Sequence, residues 1–377
     1  MIKDQSKDIT VIAVSNSQDN QHNQLKKKSM FNTLMLTLTA IAVTYSSVSL
    51  AKEATTPIEN TVPLTLMEFP TAETHHMMKM GINQLDNFGK WAHIRGFTPI
   101  DQQNVVRMNR DTLYSSMVLD LTEPATIIKP DTGDRYQSLL IINEGHFSKL
   151  VAYEAGEYTL TSEEMGSRYV VAIVRTLVDA EDPEDLKMAY KAQDGLQLKQ
   201  KNIGEFDVPN WDATDLNNIR QSFKELGRYL PNRDNAYGDS EKDVDSLAHQ
   251  IVSADAWGGW KPEHAVYQNF VVNNNDGTTP YQLTLKDIPS GEDAFWSISV
   301  YNEDGFFVQN DSEKYVINSR KAVTNEDGSV TINFGGELTQ DNFLPITPGW
   351  SYMLRIYLPT SDYFDGSWEP AQAQLIQ

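Results

Sequence analysis

The sequence predicts a mainly β protein (α+β overall) with two antiparallel β-sandwich or jelly-roll-like domains joined by a helical segment. Three observations predict it. From Arg107 to Val174 apolar residues recur with period two, broken by turn signals at Pro130-Asp131-Thr132-Gly133-Asp134 and Glu154-Ala155-Gly156-Glu157. From Val266 onward short alternating runs return, separated by Asn- and Asp-rich turns. Between these stretches the spacing becomes helical.

The elements follow in chain order. Lys26, Lys27 and Lys28 precede an apolar run from Met30 to Val48 that ends at Ser49-Leu50-Ala51. A basic start, an apolar middle and small residues at the exit describe a secretory signal peptide cleaved after Ala51, with a periplasmic or secreted product. The rival reading is a retained membrane anchor; Asn32 and the serines and threonines of the run dilute it. The polar residues 1–24 fit no part of a leader and suggest Leu25 as the true initiator. Residues 1–51 are therefore expected to be a signal peptide with an N-terminal extension, and 52–175 an N-terminal β-rich domain. Within the latter a helix is expected over Thr71–Lys90, from Met77, Gly81, Leu85 and Phe88, with Pro70 stopping it backwards.

Residues 176–264 are expected as the helical connection. Asp182 caps one helix with Pro183 at its first position, and Asp212 caps another with Leu216, Ile219, Phe223 and Leu226 on its buried face. Val244, Leu247, Ala248 and Ile251 mark a third, leading into Ala256-Trp257-Gly258-Gly259-Trp260. Residues 265–377 supply strands at Tyr281–Lys286, Ala294–Tyr301, Tyr315–Asn318, Ser329–Phe334 and Tyr352–Leu358.

Composition excludes several chemistries. The 377 residues include no cysteine, so disulfides, thiolate metal sites and cysteine nucleophiles are ruled out. The formal charge is −21, and nucleic acid and anionic membrane are poor partners for a chain without a basic footprint. No stable membrane insertion is expected once the leader is removed. A homo-oligomer and a cofactor are both left open. No His-x-His, His-Glu-x-x-His, Gly-x-Ser-x-Gly or P-loop pattern occurs. The turns at Asn273–Gly277 and Asn302–Gly305 carry oxygens that could meet Ca²⁺, but they lack the EF-hand pattern, and simple turns explain them better.

Several runs now make a resemblance visible. Asn109-Arg110-Asp111-Thr112-Leu113-Tyr114-Ser115, Gly133-Asp134-Arg135-Tyr136 and Ala155-Gly156-Glu157-Tyr158 resemble the family called domain of unknown function 1254. Phe295-Trp296-Ser297, Tyr301-Asn302, Leu344-Pro345, Pro348-Gly349-Trp350 and Arg355-Ile356-Tyr357-Leu358-Pro359 resemble domain of unknown function 1214. Phe343 stands where the second family usually has Trp, and the first domain is shorter than usual between Gly156 and Gly166. The resemblance implies paired β-sandwiches in an exported protein, and it suggests phosphomonoester hydrolysis.

The candidate residues come from the same runs. Arg110 offers a planar fork for a carboxylate, phosphate or sugar oxygen, with Asn109 and Tyr114 orienting the ligand. The plainer reading makes Asp111 a turn cap accepting backbone N–H bonds, pairs Arg110 with a carboxylate from another strand and leaves Tyr114 in the core. Arg355, followed by Tyr357, sits in an apolar strand and needs a partner if it points inward. Facing Arg110, it would complete an anion clamp. Asp111 and His146 are the candidate catalytic groups, to activate water or protonate a leaving group. Against this, His146 and His264 could be ordinary satisfied histidines. No metal ligand set is evident. The expected function is the binding of a small anionic or polar molecule by an exported protein, with hydrolysis as an extension. The alternative is a non-catalytic carbohydrate-binding or structural cell-envelope protein, suggested by Trp257, Trp260, Trp296, Trp350 and Trp368.

Overall fold

The computed structural model describes residues 60–103, 105–230, 232–233 and 235–376. The expected signal peptide lies outside the described residues, and among those described no helix is long and apolar enough to cross a membrane. The architecture is mainly β with helices added, as the sequence predicts.

The first half holds β1 (Ala92–Ile94), β2 (Thr112–Asp120), β3 (Ala125–Lys129), β4 (Gln137–Asn143), β5 (Ser148–Ala152), β6 (Gly156–Leu160), β7 (Tyr169–Leu177) and β8 (Gln197–Gln200). They form an antiparallel five-stranded sheet, β1-β2-β7-β4-β5, and a three-stranded sheet, β6-β3-β8. Met117, Leu119, Ile127, Leu139, Leu160 and Val174 share one core between the two. Strand β8 comes from the segment expected to be a helical connection, and it pairs with β3 in the first domain's smaller sheet. Every residue of β4 is buried because the large sheet is covered on both faces. On its second face Val118 and Val171 meet Met78 of helix α1 (Phe69–Leu85).

Helix α1 starts earlier than expected. Pro70 sits inside its first turn, where a missing N–H costs nothing, so it opens the helix instead of stopping it. Asp86, at φ 55°, ends it in the left-handed conformation. After the short α2 (Ser162–Met165), the expected caps recur at α3 (Pro183–Asp194) and α4 (Ala213–Gly227). The Asp182 side chain accepts from the Glu184 N–H, and that of Asp212 from the Thr214 and Asp215 N–H groups. Helix α5 (Ser246–Asp255) is capped by Asp245. Phe69, Leu216, Phe223 and Ile251 join α1, α4 and α5 in one apolar cluster.

The second half comprises β9 (Ala265–Val271), β10 (Tyr281–Leu285), β11 (Trp296–Tyr301), β12 (Val316–Asn318), β13 (Val330–Phe334), β14 (Phe343–Leu344), β15 (Ser351–Tyr357) and β16 (Gln374–Leu375), with α6 (Ser361–Phe364) after β15. Two four-stranded sheets, β12-β11-β15-β9 and β14-β13-β10-β16, enclose a core of Leu283, Trp296, Ile298, Ile332, Trp350 and Leu354. The β13–β14 pairing is parallel. The halves meet through Tyr136, Leu140, Ile142, Leu177, Phe295 and Tyr357, and this seam carries the candidate residues.

Candidate functional site

Asn109, not Asp111, caps the turn into β2. Its Oδ1 accepts from the Asp111 N–H at 2.6 Å and the Thr112 N–H at 3.2 Å, while its Nδ2 donates to the Tyr357 hydroxyl at 2.6 Å. Relieved of that duty, Asp111 turns into the seam and is fully buried. Ser297 Oγ donates to Oδ2 at 2.7 Å and Asn318 Nδ2 to Oδ1 at 3.2 Å. Burial pushes this carboxyl up from its ordinary range, and the charge of Arg355 opposes the shift. Both oxygens are already engaged across the seam, so Asp111 is seated as a joint between domains.

Of the two directions the sequence left open, Arg355 takes the inward one, toward backbone carbonyls and hydroxyls. Nη1 donates to Ser299 Oγ at 2.8 Å, and Nη2 reaches Arg107 O at 2.8 Å, Met108 O at 3.3 Å and the Tyr301 hydroxyl at 2.7 Å. Those acceptors fasten the 107–108 loop of the first half onto the second. The Arg110–Arg355 anion clamp is thus not formed, because the donors of Arg355 are spent on carbonyls and hydroxyls. Tyr357 is buried as well, stacked 4.1 Å from Phe295.

Arg110 goes the other way. Its guanidinium lies 4.9 Å from both the Phe97 and Tyr315 ring centres, and Nη1 donates to Thr98 O at 3.0 Å. No carboxylate pairs with it within ion-pair distance among the described residues. It lines a cavity of about 470 Å³ at the seam, walled by Phe97, Ile100, Asp101, Val178 and Glu181 on one side and by Gln309, Asn310, Glu313, Tyr315 and Asn318 on the other. Lys321 stands between this cavity and a neighbouring one of about 270 Å³ that also includes Asp134, Arg135 and Arg320; its ammonium is 3.2 Å from Glu181. Asn109, Asp111 and Arg355 are not among the lining residues, so only Arg110 of the sequence candidates faces this space.

His146 is a satisfied core histidine. Nε2 accepts from the Gly258 N–H at 3.0 Å, which leaves the proton on Nδ1, 2.9 Å from Ser253 Oγ. Burial first, and His249 second, hold its pKa well below the usual histidine range. With its lone pair committed to a backbone amide, this ring has no free base to offer. Tyr114 is half-buried, and its hydroxyl accepts a long 3.4 Å bond from Nε of Arg175. Arg175 escaped the sequence reading although Val174-Arg175-Thr176 shows the same signal as Arg355, an arginine inside an apolar strand. His264 shares 3.1 Å with the Tyr153 hydroxyl. None of Trp257, Trp260, Trp296, Trp350 and Trp368 is exposed. The oxygen-rich turns close on themselves: Asp276 Oδ1 accepts from the Thr278 and Thr279 N–H groups, and Asn302 Oδ1 from those of Asp304 and Phe306.

Comparison with known proteins bears on the two halves separately. Residues 88–200 match the model of a protein of unknown function (DUF1254), and residues 268–361 that of a protein of unknown function (DUF1214). The chain is a DUF1254–DUF1214 protein. The DUF1254 match runs through β8, so the family unit includes the strand that completes the smaller sheet. The fold is similar to that of the VPA0106 protein from Vibrio parahaemolyticus, at 16% identity and a TM-score of 0.62, over 82% of this chain and 98% of that one. A putative uncharacterized protein from Burkholderia cenocepacia aligns at 12% identity over 81% of this chain and 86% of that one, with a TM-score of 0.45. No curated protein matches the chain.

Proposed function

We propose that this DUF1254–DUF1214 protein is exported and binds a small polar or anionic molecule in the seam cavity, with Arg110 as the residue that meets it. The observation carrying this reading is the state of Arg110. It is stacked between Phe97 and Tyr315, holds one carbonyl, and has no carboxylate partner among the described residues. A guanidinium fixed by two aromatic faces keeps its orientation while its remaining N–H groups stay available. Export rests on the lysine-led apolar leader before Ala51. Binding is favoured over hydrolysis because Asp111 and His146, the residues best suited by type, have their lone pairs engaged elsewhere. The carbohydrate-module alternative has less support, since no tryptophan platform is exposed.

Calorimetric titration with inorganic phosphate, 4-nitrophenyl phosphate, acetate and glucuronate tests the proposal. At least one should bind, and Arg110→Ala should weaken it about tenfold or more, the value of one charge-assisted contact. The melting temperature should fall only slightly, because Arg110 serves a single carbonyl and two half-buried ring faces. Unchanged affinity in Arg110→Ala, or no binding by any of the four, refutes the reading. Release of 4-nitrophenol that depends on Arg110 would restore the hydrolase.

A further inference from the structure

A second cluster lies on the seam face of the five-stranded sheet. Cross-strand register places Tyr114, Arg175 and Ser138 in one row across β2, β7 and β4. Arg175 is 7% exposed and forms no ion pair within 4.0 Å among the described residues. Nη2 donates to Gly258 O at 2.8 Å and Nε makes the long bond to Tyr114, but Nη1 is buried with no partner. The guanidinium lies 4.4 Å from the Trp260 ring, whose Nε1 is likewise buried and unpartnered. The hydroxyls of Tyr136 and Ser138 lie beside each other without a well-formed hydrogen bond.

Arg355 shows what a structural arginine looks like in this molecule. It is equally deep, yet both terminal nitrogens are served and Asp111 is near enough to balance its charge. The titratable groups around Arg175 are instead phenols, neutral at ordinary pH: Tyr114, Tyr267 and Tyr136. A buried guanidinium without a counter-charge, surrounded by unused donors, is costly unless an anion completes it.

We propose that Arg175 anchors a second, buried binding site for a small monocarboxylate, held by Arg175 Nη1, Trp260 Nε1 and the hydroxyls of Tyr136 and Ser138. One guanidinium calls for one negative charge, which selects a carboxylate over a phosphomonoester dianion. The aromatic surround of Trp260, Tyr136 and Tyr267 suits an apolar tail. The site is separate from the Arg110 cavity, whose lining includes none of these residues.

The test is calorimetric titration of purified Arg110→Ala protein, in which the seam cavity takes no part, with formate, acetate and propionate, against chloride and phosphate. At least one carboxylate should bind saturably, more tightly than phosphate. Arg175→Gln in that background should weaken it at least tenfold and Tyr136→Phe several-fold. Should Arg175→Gln fail to fold, Tyr136→Phe and Ser138→Ala carry the comparison. No saturable binding would mean that ordered water alone serves these donors, and that overturns the proposal. Unchanged affinity in Tyr136→Phe together with Ser138→Ala, or equal binding of phosphate, overturns it as well.

Discussion

Acid should loosen the joint that His146 makes between the β4–β5 turn and the end of α5. The ring is buried at φ 64°, accepts from Gly258 and donates to Ser253, whose Oγ in turn donates to His249 O at 2.8 Å. Its folded pKa is well below the ordinary value, through burial and then the charge of His249. An unfolded chain returns it to about 6.5. Because the folded value is the lower one, the unfolded state takes up a proton first. The stability contributed is therefore complete above about pH 6.5 and is lost as pH falls below it. From about pH 6.5 down to the folded value, each pH unit costs about 1.4 kcal/mol. Against a total stability of about 5–15 kcal/mol that is a large share. His146→Asn keeps a residue that tolerates positive φ and removes the titration. Urea unfolding at several pH values should show wild type losing stability below about pH 6.5 more steeply than the variant, by up to about 1.4 kcal/mol per pH unit. Parallel profiles, or a His146 imidazole resonance titrating near its ordinary value, would refute the reasoning.

Three further outcomes follow from single contacts. Arg355→Met strands Ser299, Tyr301 and the Arg107 and Met108 carbonyls and leaves Asp111 uncompensated, so denaturant unfolding should show a loss of about 3–5 kcal/mol; Arg355→Lys should not rescue it. Lys129 is 2% exposed, and burial, partly offset by Glu154 and Asp131, brings its pKa down to about 8. A depressed lysine costs stability below its unfolded pKa of about 10.4, so Lys129→Met should gain about 3 kcal/mol at pH 7, and the gain should vanish as pH approaches that value. A pH-independent gain would show that packing, not charge, is responsible. Gly277 has φ +80°, and an added Cβ would stand 2.4 Å from the Pro348 nitrogen; Gly277→Ala should therefore lower stability by at least about 2 kcal/mol, read as a fall in melting temperature.

Legibility in this chain followed how locally each feature is decided. Asp182-Pro183 and Asp212 marked helix starts because a cap and the amides it serves lie within three residues of each other. Pro70 misled because proline both ends a helix and fits its first turn, and only the packing of Phe69 and Ala72 on α4 and α5 decides between these. The motif Asn109–Tyr114 was recognisable as sequence, yet its division of labour was not. Asn109 and Asp111 can each cap a turn, and what frees Asp111 is Ser297 and Asn318, arriving from some two hundred residues away. Arg355 and Arg175 press the point hardest. Each is an arginine inside an apolar strand, and the pattern in sequence says only that a partner is required. For Arg355 the partners are carbonyls of the 107–108 loop, which closes its chemistry. For Arg175 the chain supplies one carbonyl and a distant phenol, and Nη1 has nothing. The same sequence signal thus ends in a rivet in one domain and an uncompensated charge in the other, and only the second keeps a donor unspent.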